Sequence, residues 1–198
     1  MGIGSHKIRN GSERFVIGGV LAIQWSVVPV GIFVNISPPI IRQFQRFRKN
    51  NGAPVVDHHK GRNLTRDAPA LIIMGDMNDD PMDKSMAVAL GAKRKTQDTK
   101  EHDLYNPWWD TLKKGNGTLM YDGKWNLFDQ IVFTGNLLGN DRSTLKYYRN
   151  EIFRRDYMFQ KEGKYKGYPK RTHAGGVWLN GYSDHLPTII YLIKEIKD

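Results

Sequence analysis

Three apolar runs, far apart in the chain, each carry or border carboxylates. Ala70-Leu71-Ile72-Ile73-Met74 leads into Gly75-Asp76-Met77-Asn78-Asp79-Asp80-Pro81. Leu127-Phe128-Asp129-Gln130-Ile131-Val132-Phe133 carries one acid inside an apolar run. Gly181-Tyr182-Ser183-Asp184-His185-Leu186-Pro187 opens onto Thr188-Ile189-Ile190-Tyr191-Leu192-Ile193. Short runs of this kind, rich in β-branched and aromatic residues and bounded by turn residues, are strands. A fold that buries all three can gather their acids, amides and imidazole in one pocket.

The chain has 198 residues, suited to one domain that buries roughly 70% of its unfolded surface. It has no cysteine, which excludes disulfides, thiolate metal sites and cysteine nucleophiles. Net charge is +10 and uneven. Residues 1–70 carry 10 Lys and Arg against 3 acids, a balance of +7; residues 71–198 carry 20 against 17, a balance of +3. Such a surface favours a polyanionic partner such as nucleic acid, or simply keeps the chain soluble.

Residues 1–14 read as a polar leader, and 15–198 as one domain. Phe15 to Val34 contains no charge and meets the length of a membrane span, with Lys7, Arg9 and Arg14 ahead of it. Gly18, Gly19, Gln24, Ser26, Pro29 and Gly31 weigh against a spanning helix, so two strands broken near Gln24–Pro29 are the expected form. A soluble protein is the favoured reading, with secretion or a membrane anchor through residues 15–34 as the alternative. No stable protein partner is inferred. Further on, the signals predict a strand at Leu71–Met74 and a short helix at Asp83–Leu90 stopped by Gly91. They also predict strands at Trp125–Thr134, Leu145–Phe153 and Pro187–Ile193, and a loop at Gly163–Thr172. Strands with few, short helices imply a layered α/β fold.

In an extended chain, Asp76 and Asn78 share a face. An Asp there can hold a hard cation and an Asn can donate to a phosphoryl oxygen. A simple Asx turn before Pro81 explains the same residues. Asp79, Asp80 and Asp83 read as turn and helix-start residues. Asp184 suits Mg²⁺, and His185 can take a proton from water near neutral pH. Asp129 needs a partner if buried: a histidine is a natural one, and a Lys or Arg in a structural ion pair is the alternative. Trp125 and Asn126 just before it are expected to line a substrate cleft. His58-His59 beside Asp57 reads as a polar loop more readily than a metal site, and Trp108-Trp109 as core more readily than a stacking platform for bases. Lys164, Lys166, Lys170 and Arg171, interleaved with Tyr165 and Tyr168, suit phosphate contacts or plain solvation.

Together, Gly75-Asp76-Met77-Asn78-Asp79-Asp80-Pro81, Phe128-Asp129-Gln130-Ile131 and Ser183-Asp184-His185-Leu186-Pro187 resemble the endonuclease/exonuclease/phosphatase family. The resemblance spans about residues 70–196, the C-terminal half of such an enzyme. It implies a DNase-I-like four-layer α/β sandwich with two mixed β-sheets, here partial. It implies Mg²⁺- or Mn²⁺-dependent hydrolysis of phosphodiesters or phosphomonoesters, with nucleic acid or a small phosphoester as substrate. Carried over, Asp76 and Asn78 bind or orient the phosphate and its attacking water. Asp184, with Asp76, ligates the metal. His185 contacts the scissile phosphate as base or electrostatic stabiliser, oriented by Asp129.

The N-terminal part departs from that pattern. The family's early glutamate ligand has no evident match, since Glu13 lies in the polar leader. Asn35 is followed by Ile36 where some members carry a histidine. Residues 15–69 therefore read as atypical or truncated, as a shortened gene or a reading-frame change would leave them. The alternative function is a non-catalytic remnant that binds phosphate-rich ligands or nucleic acid.

Overall fold

The computed structural model describes residues 70–195 in full. Before them it describes only the backbone of five strands. These are β1 (His6–Asn10), β2 (Glu13–Ala22), β3 (Ile32–Asn35), β4 (Val56–Asp57) and β5 (Arg62–Asn63). Then come β6 (Leu71–Asp76), a wide helical turn (Ser85–Leu90), β7 (Leu104–Tyr105) and helix α1 (Trp109–Lys113). The chain continues through β8 (Leu119–Tyr121), β9 (Lys124–Asn126), β10 (Asp129–Thr134) and β11 (Lys146–Ile152). It ends with β12 (His173–Ala174), β13 (Val177–Trp178) and β14 (Thr188–Glu195). The stretch expected as a polar leader thus holds β1 and the start of β2, which pair as an antiparallel hairpin. His58-His59 lies outside the described residues, as does the expected break at Gln24–Pro29.

Two four-stranded sheets carry the structure, in the orders β1-β2-β14-β11 and β3-β6-β10-β7. The first is antiparallel throughout its described pairings. The second is mixed, because β3 runs parallel to β6. Mostly sheet with few helices is the expected class, although only one of the two sheets is mixed where the resemblance implies both.

Alternation along β6 and β10 sends side chains to opposite faces. Ile72, Ile131 and Phe133 point toward the antiparallel sheet and pack with Ile152, Ile190, Leu186, Trp108 and Leu127 in one core. Leu71, Ile73 and Val132 point the other way, onto Met77, Met86, Ala92 and Leu104. Both faces of β10 are therefore covered, which is why its sequence reads as unbroken apolar residues.

The predicted strand Trp125–Thr134 is in fact two. β9 ends at Asn126 and β10 begins at Asp129, with Leu127-Phe128 turning between them. The predicted helix is shorter than Asp83–Leu90. The Asp83 carbonyl accepts the N–H groups of Met86 and Ala87, and the last turn closes wide, Ala92 N–H on Met86 O, with Gly91 left-handed at φ 70°. No described helix is long and apolar enough to cross a membrane.

Trp108 is fully buried, and its indole N–H donates to the Ile131 carbonyl at 3.0 Å. It is core, as the sequence suggests. Trp108→Ala should cost about 3–5 kcal/mol through a cavity and a lost hydrogen bond. Urea unfolding with an unchanged m-value would measure this; a loss below about 1 kcal/mol would contradict the packing described.

Candidate active site

The register of β10 on β6 sets Asp129 directly opposite Asp76. Directly opposed residues in an antiparallel pair project to the same face. Both acids lie at the sheet edge where β6 ends and β10 begins. β3 runs parallel to β6 with Asn35 opposite Met74, so Asn35 closes β3 at this same edge.

The loop before β14 brings the imidazole. His185 forms an antiparallel bridge with Leu119, and the Leu186 N–H donates to the Thr118 carbonyl at 2.8 Å. His185 Nδ1 lies 2.7 Å from Asp129 Oδ2, with both side chains largely buried. An ionised Asp129 keeps the proton on Nδ1 and leaves Nε2 for a substrate. The hydrogen bond to Asp129 raises the His185 pKa above its ordinary value. Burial opposes this, while the charges of Asp129, Asp76 and Asp184 add to it.

The structure therefore brings together Asp76, Asp129, Asp184 and His185. It treats Asn78, Trp125 and Asn126 differently from the extended-chain expectation. The strand stops at Asp76, Asn78 turns left-handed at φ 52°, and its N–H donates to Asp76 Oδ1 at 2.9 Å. This is the Asx turn, so strand alternation does not aim the Asn78 side chain. Trp125 packs on the core between the sheets, with the Arg154 guanidinium 4.7 Å above its ring. Asn126 contributes its carbonyl, which accepts the Thr118 N–H at 2.8 Å.

Asp184 pairs with Arg171 at 3.4 Å, and about half of each side chain is exposed. Among the described residues no three His, Asp or Glu side chains gather into a metal cage. Asp76 and Asp184 are hard oxygen donors. Mg²⁺ is commonly held by one or two carboxylates with waters and substrate phosphates, so carboxylates are the donor type this mode uses.

Several residues that hold the site carry little sequence signal. Buried Thr118 accepts the Asp129 N–H on its hydroxyl at 3.3 Å while its backbone bonds to Asn126 and Leu186. One residue thus fixes both partners of the Asp129–His185 pair, and only a turn at Gly115–Gly117 announces it. Gln130 is fully buried. Its amide N–H groups donate to the carbonyls of Asp79 (2.7 Å) and Leu127 (2.9 Å), and its oxygen accepts from Asn106 at 2.7 Å. A lone amide inside an apolar run is the clue that could have found it. Asp80 accepts the Leu127 N–H at 2.7 Å, and burial raises its pKa. Asp79 bonds the Ser85 hydroxyl and Asp83 the Asp80 N–H. These three acids are turn and helix-start residues, as read.

A model of the endonuclease/exonuclease/phosphatase family matches residues 47–194. The chain belongs to the endonuclease/exonuclease/phosphatase family. The match reaches upstream of residue 70 into the stretch that reads as atypical, and membership suggests a hydrolase of the phosphoesterase or nuclease type. No curated protein and no solved structure matches the chain.

Gln130→Leu should destabilise the protein by about 2–4 kcal/mol, because Asn106 and two carbonyls lose their partner in the interior. A midpoint shift under about 0.5 kcal/mol would contradict the network. A second expectation concerns pH. The raised His185 pKa means that its pairing stabilises the fold fully below the unfolded value of 6.5. That contribution fades as pH rises through the folded value. Asp129→Asn should lower the His185 pKa, read by NMR titration, and flatten this decline. An unmoved imidazole titration would rule the pairing out.

Proposed function

We propose that the chain is a divalent-cation-dependent hydrolase of phosphodiester or phosphomonoester bonds. The observation that carries this reading is His185 held by Asp129 at 2.7 Å, at the sheet edge that also bears Asp76. Family membership supports it. The finer architecture we infer is the DNase-I-like four-layer α/β sandwich. Two four-stranded sheets packed through one core and a helical turn on the outer face of the mixed sheet support that inference.

In this reading Asp184 and Asp76 hold Mg²⁺ or Mn²⁺, which supplies Lewis-acid polarisation of the phosphoryl oxygen. The remaining steps belong to the chain. His185, with Nδ1 fixed by Asp129, presents Nε2 to the phosphate. Its raised pKa keeps more of it cationic near neutrality, which suits stabilising the charge that builds on phosphate oxygens. Once neutral, the same Nε2 accepts a proton from the attacking water. Asn78, exposed on its turn, and Asn126 remain our candidates for substrate contact, with Trp125 as an apolar wall.

A second reading, a non-catalytic remnant that binds phosphate-rich ligands, draws on two observations. Arg171 already neutralises Asp184, and the described acids form no three-member cage. Turnover decides between them. Purified protein with Mg²⁺ or Mn²⁺ should cleave an oligonucleotide or an activated phosphodiester, and chelation should stop it. His185→Ala should lower the rate about 10²–10⁴-fold with the fold intact. Salt-sensitive binding with no turnover over a range of metals would favour the remnant.

A further inference from the structure

The strip just upstream of the Asp184–His185 loop leaves large rings in water. Tyr182, Trp178 and Tyr157 are 61%, 59% and 54% exposed. Tyr157 and Tyr182 lie 5.1 Å apart, tilted by 60°. Trp178 of the β12-β13 hairpin meets His173 edge-on at 4.7 Å. The exposed Tyr157–Tyr182 pair is an aromatic surface of the kind that can take a ligand.

The surrounding charge is mainly positive, although Asp156 adjoins Tyr157 and Asp184 follows two residues after Tyr182. Residues 161–171 hold Lys161, Lys164, Lys166, Lys170 and Arg171 against Glu162 alone. Cations and rings alternate through Lys164-Tyr165-Lys166-Gly167-Tyr168. The Tyr165 ring lies 5.4 Å from that of Tyr168, whose hydroxyl is anchored by the Gly123 N–H at 2.7 Å.

Tyr182 is firmly seated. Its N–H donates to the Lys170 carbonyl at 2.9 Å, and its carbonyl accepts the Thr172 hydroxyl at 3.0 Å. A Cβ on Gly181 would come within 2.1 Å of the Arg171 carbonyl, so only glycine permits this approach. Tyr182 stands three residues before His185, at most about 11 Å of chain away.

We propose that Tyr182, with Tyr157, is a base-stacking platform on the rim of the active site, and that the substrate is single-stranded nucleic acid. Unpaired bases offer faces to aromatic rings, and the alternating lysines follow the phosphates between them. Duplex bases offer no such faces, and a small phosphoester needs no such surface. The inference rests on the phosphodiesterase reading for its chemistry, but its binding step can be tested alone.

The test is fluorescence anisotropy with a labelled single strand of about a dozen nucleotides and with the same sequence as a duplex. It is run in the His185→Ala background with Mg²⁺ at fixed, near-physiological salt, so that turnover does not consume the probe. Tyr182→Ala should weaken single-strand binding ~10-fold or more, and Tyr182→Phe should keep it. Duplex binding should be weaker and insensitive to Tyr182. Unchanged single-strand affinity in Tyr182→Ala overturns the proposal, as does equal affinity for duplex. Tyr182-dependent binding to phosphatidylserine vesicles without single-strand binding overturns it too, in favour of a lipid surface. Cleavage is measured separately on the unaltered chain, so a failed hydrolase reading and a failed platform give different patterns.

Discussion

The pairing of β10 on β6 is the constraint from which the site follows. Its register is set by burial: Ile131, Val132 and Phe133 lie opposite Met74, Ile73 and Ile72, and each must fall on a covered face. A slip of one residue would turn Ile131 and Phe133 out of one core and into the other, and would part Asp129 from Asp76. Hydrophobic sorting several residues inside the sheet therefore decides which acids meet at its edge. Gln130 then ties the two loops at that edge together, from a position where an unsatisfied amide would be costly.

What could be read from the residues alone follows the same physics. The strands at 71–76, 129–134 and 188–195 are legible because two-sided burial leaves apolar runs that little else explains. That Asp129 needs a polar partner was also legible from its apolar run, while the choice of His185 came from the family resemblance. The break after Asn126 was not. It arises because Asp80 captures the Leu127 N–H and Gln130 captures the Leu127 carbonyl, contacts between residues about 50 positions apart or hidden in a local turn. Asn78 misled for a related reason. Alternation holds only while the strand lasts, and the Asp76 side chain ends it by accepting the Asn78 N–H. Thr118 left little trace beyond the nearby turn, because much of its work is done by its backbone.

The electrostatics of the pocket balance two demands. Three acids near one imidazole favour its cationic form, which suits a phosphate ligand. The same acids repel one another unless a cation answers them. Arg171 does so at Asp184, from the loop that carries Lys170 and leads into the β12-β13 hairpin. An incoming metal ion would compete with that guanidinium for the same carboxylate. On the metal-dependent reading proposed above, cation binding at Asp184 and the position of this loop would therefore be linked.

The tight approach at Gly181 has a wider meaning for how such a protein can diversify. With the backbone at 181 resting on Lys170 and Arg171, the rim segment and the histidine loop form a single mechanical unit. Insertions at the hairpin tip, Gly175-Gly176, would extend the rim while leaving the Asp129–His185 contact in place. Any side chain at 181 would wedge the two apart and shift rim and histidine loop together.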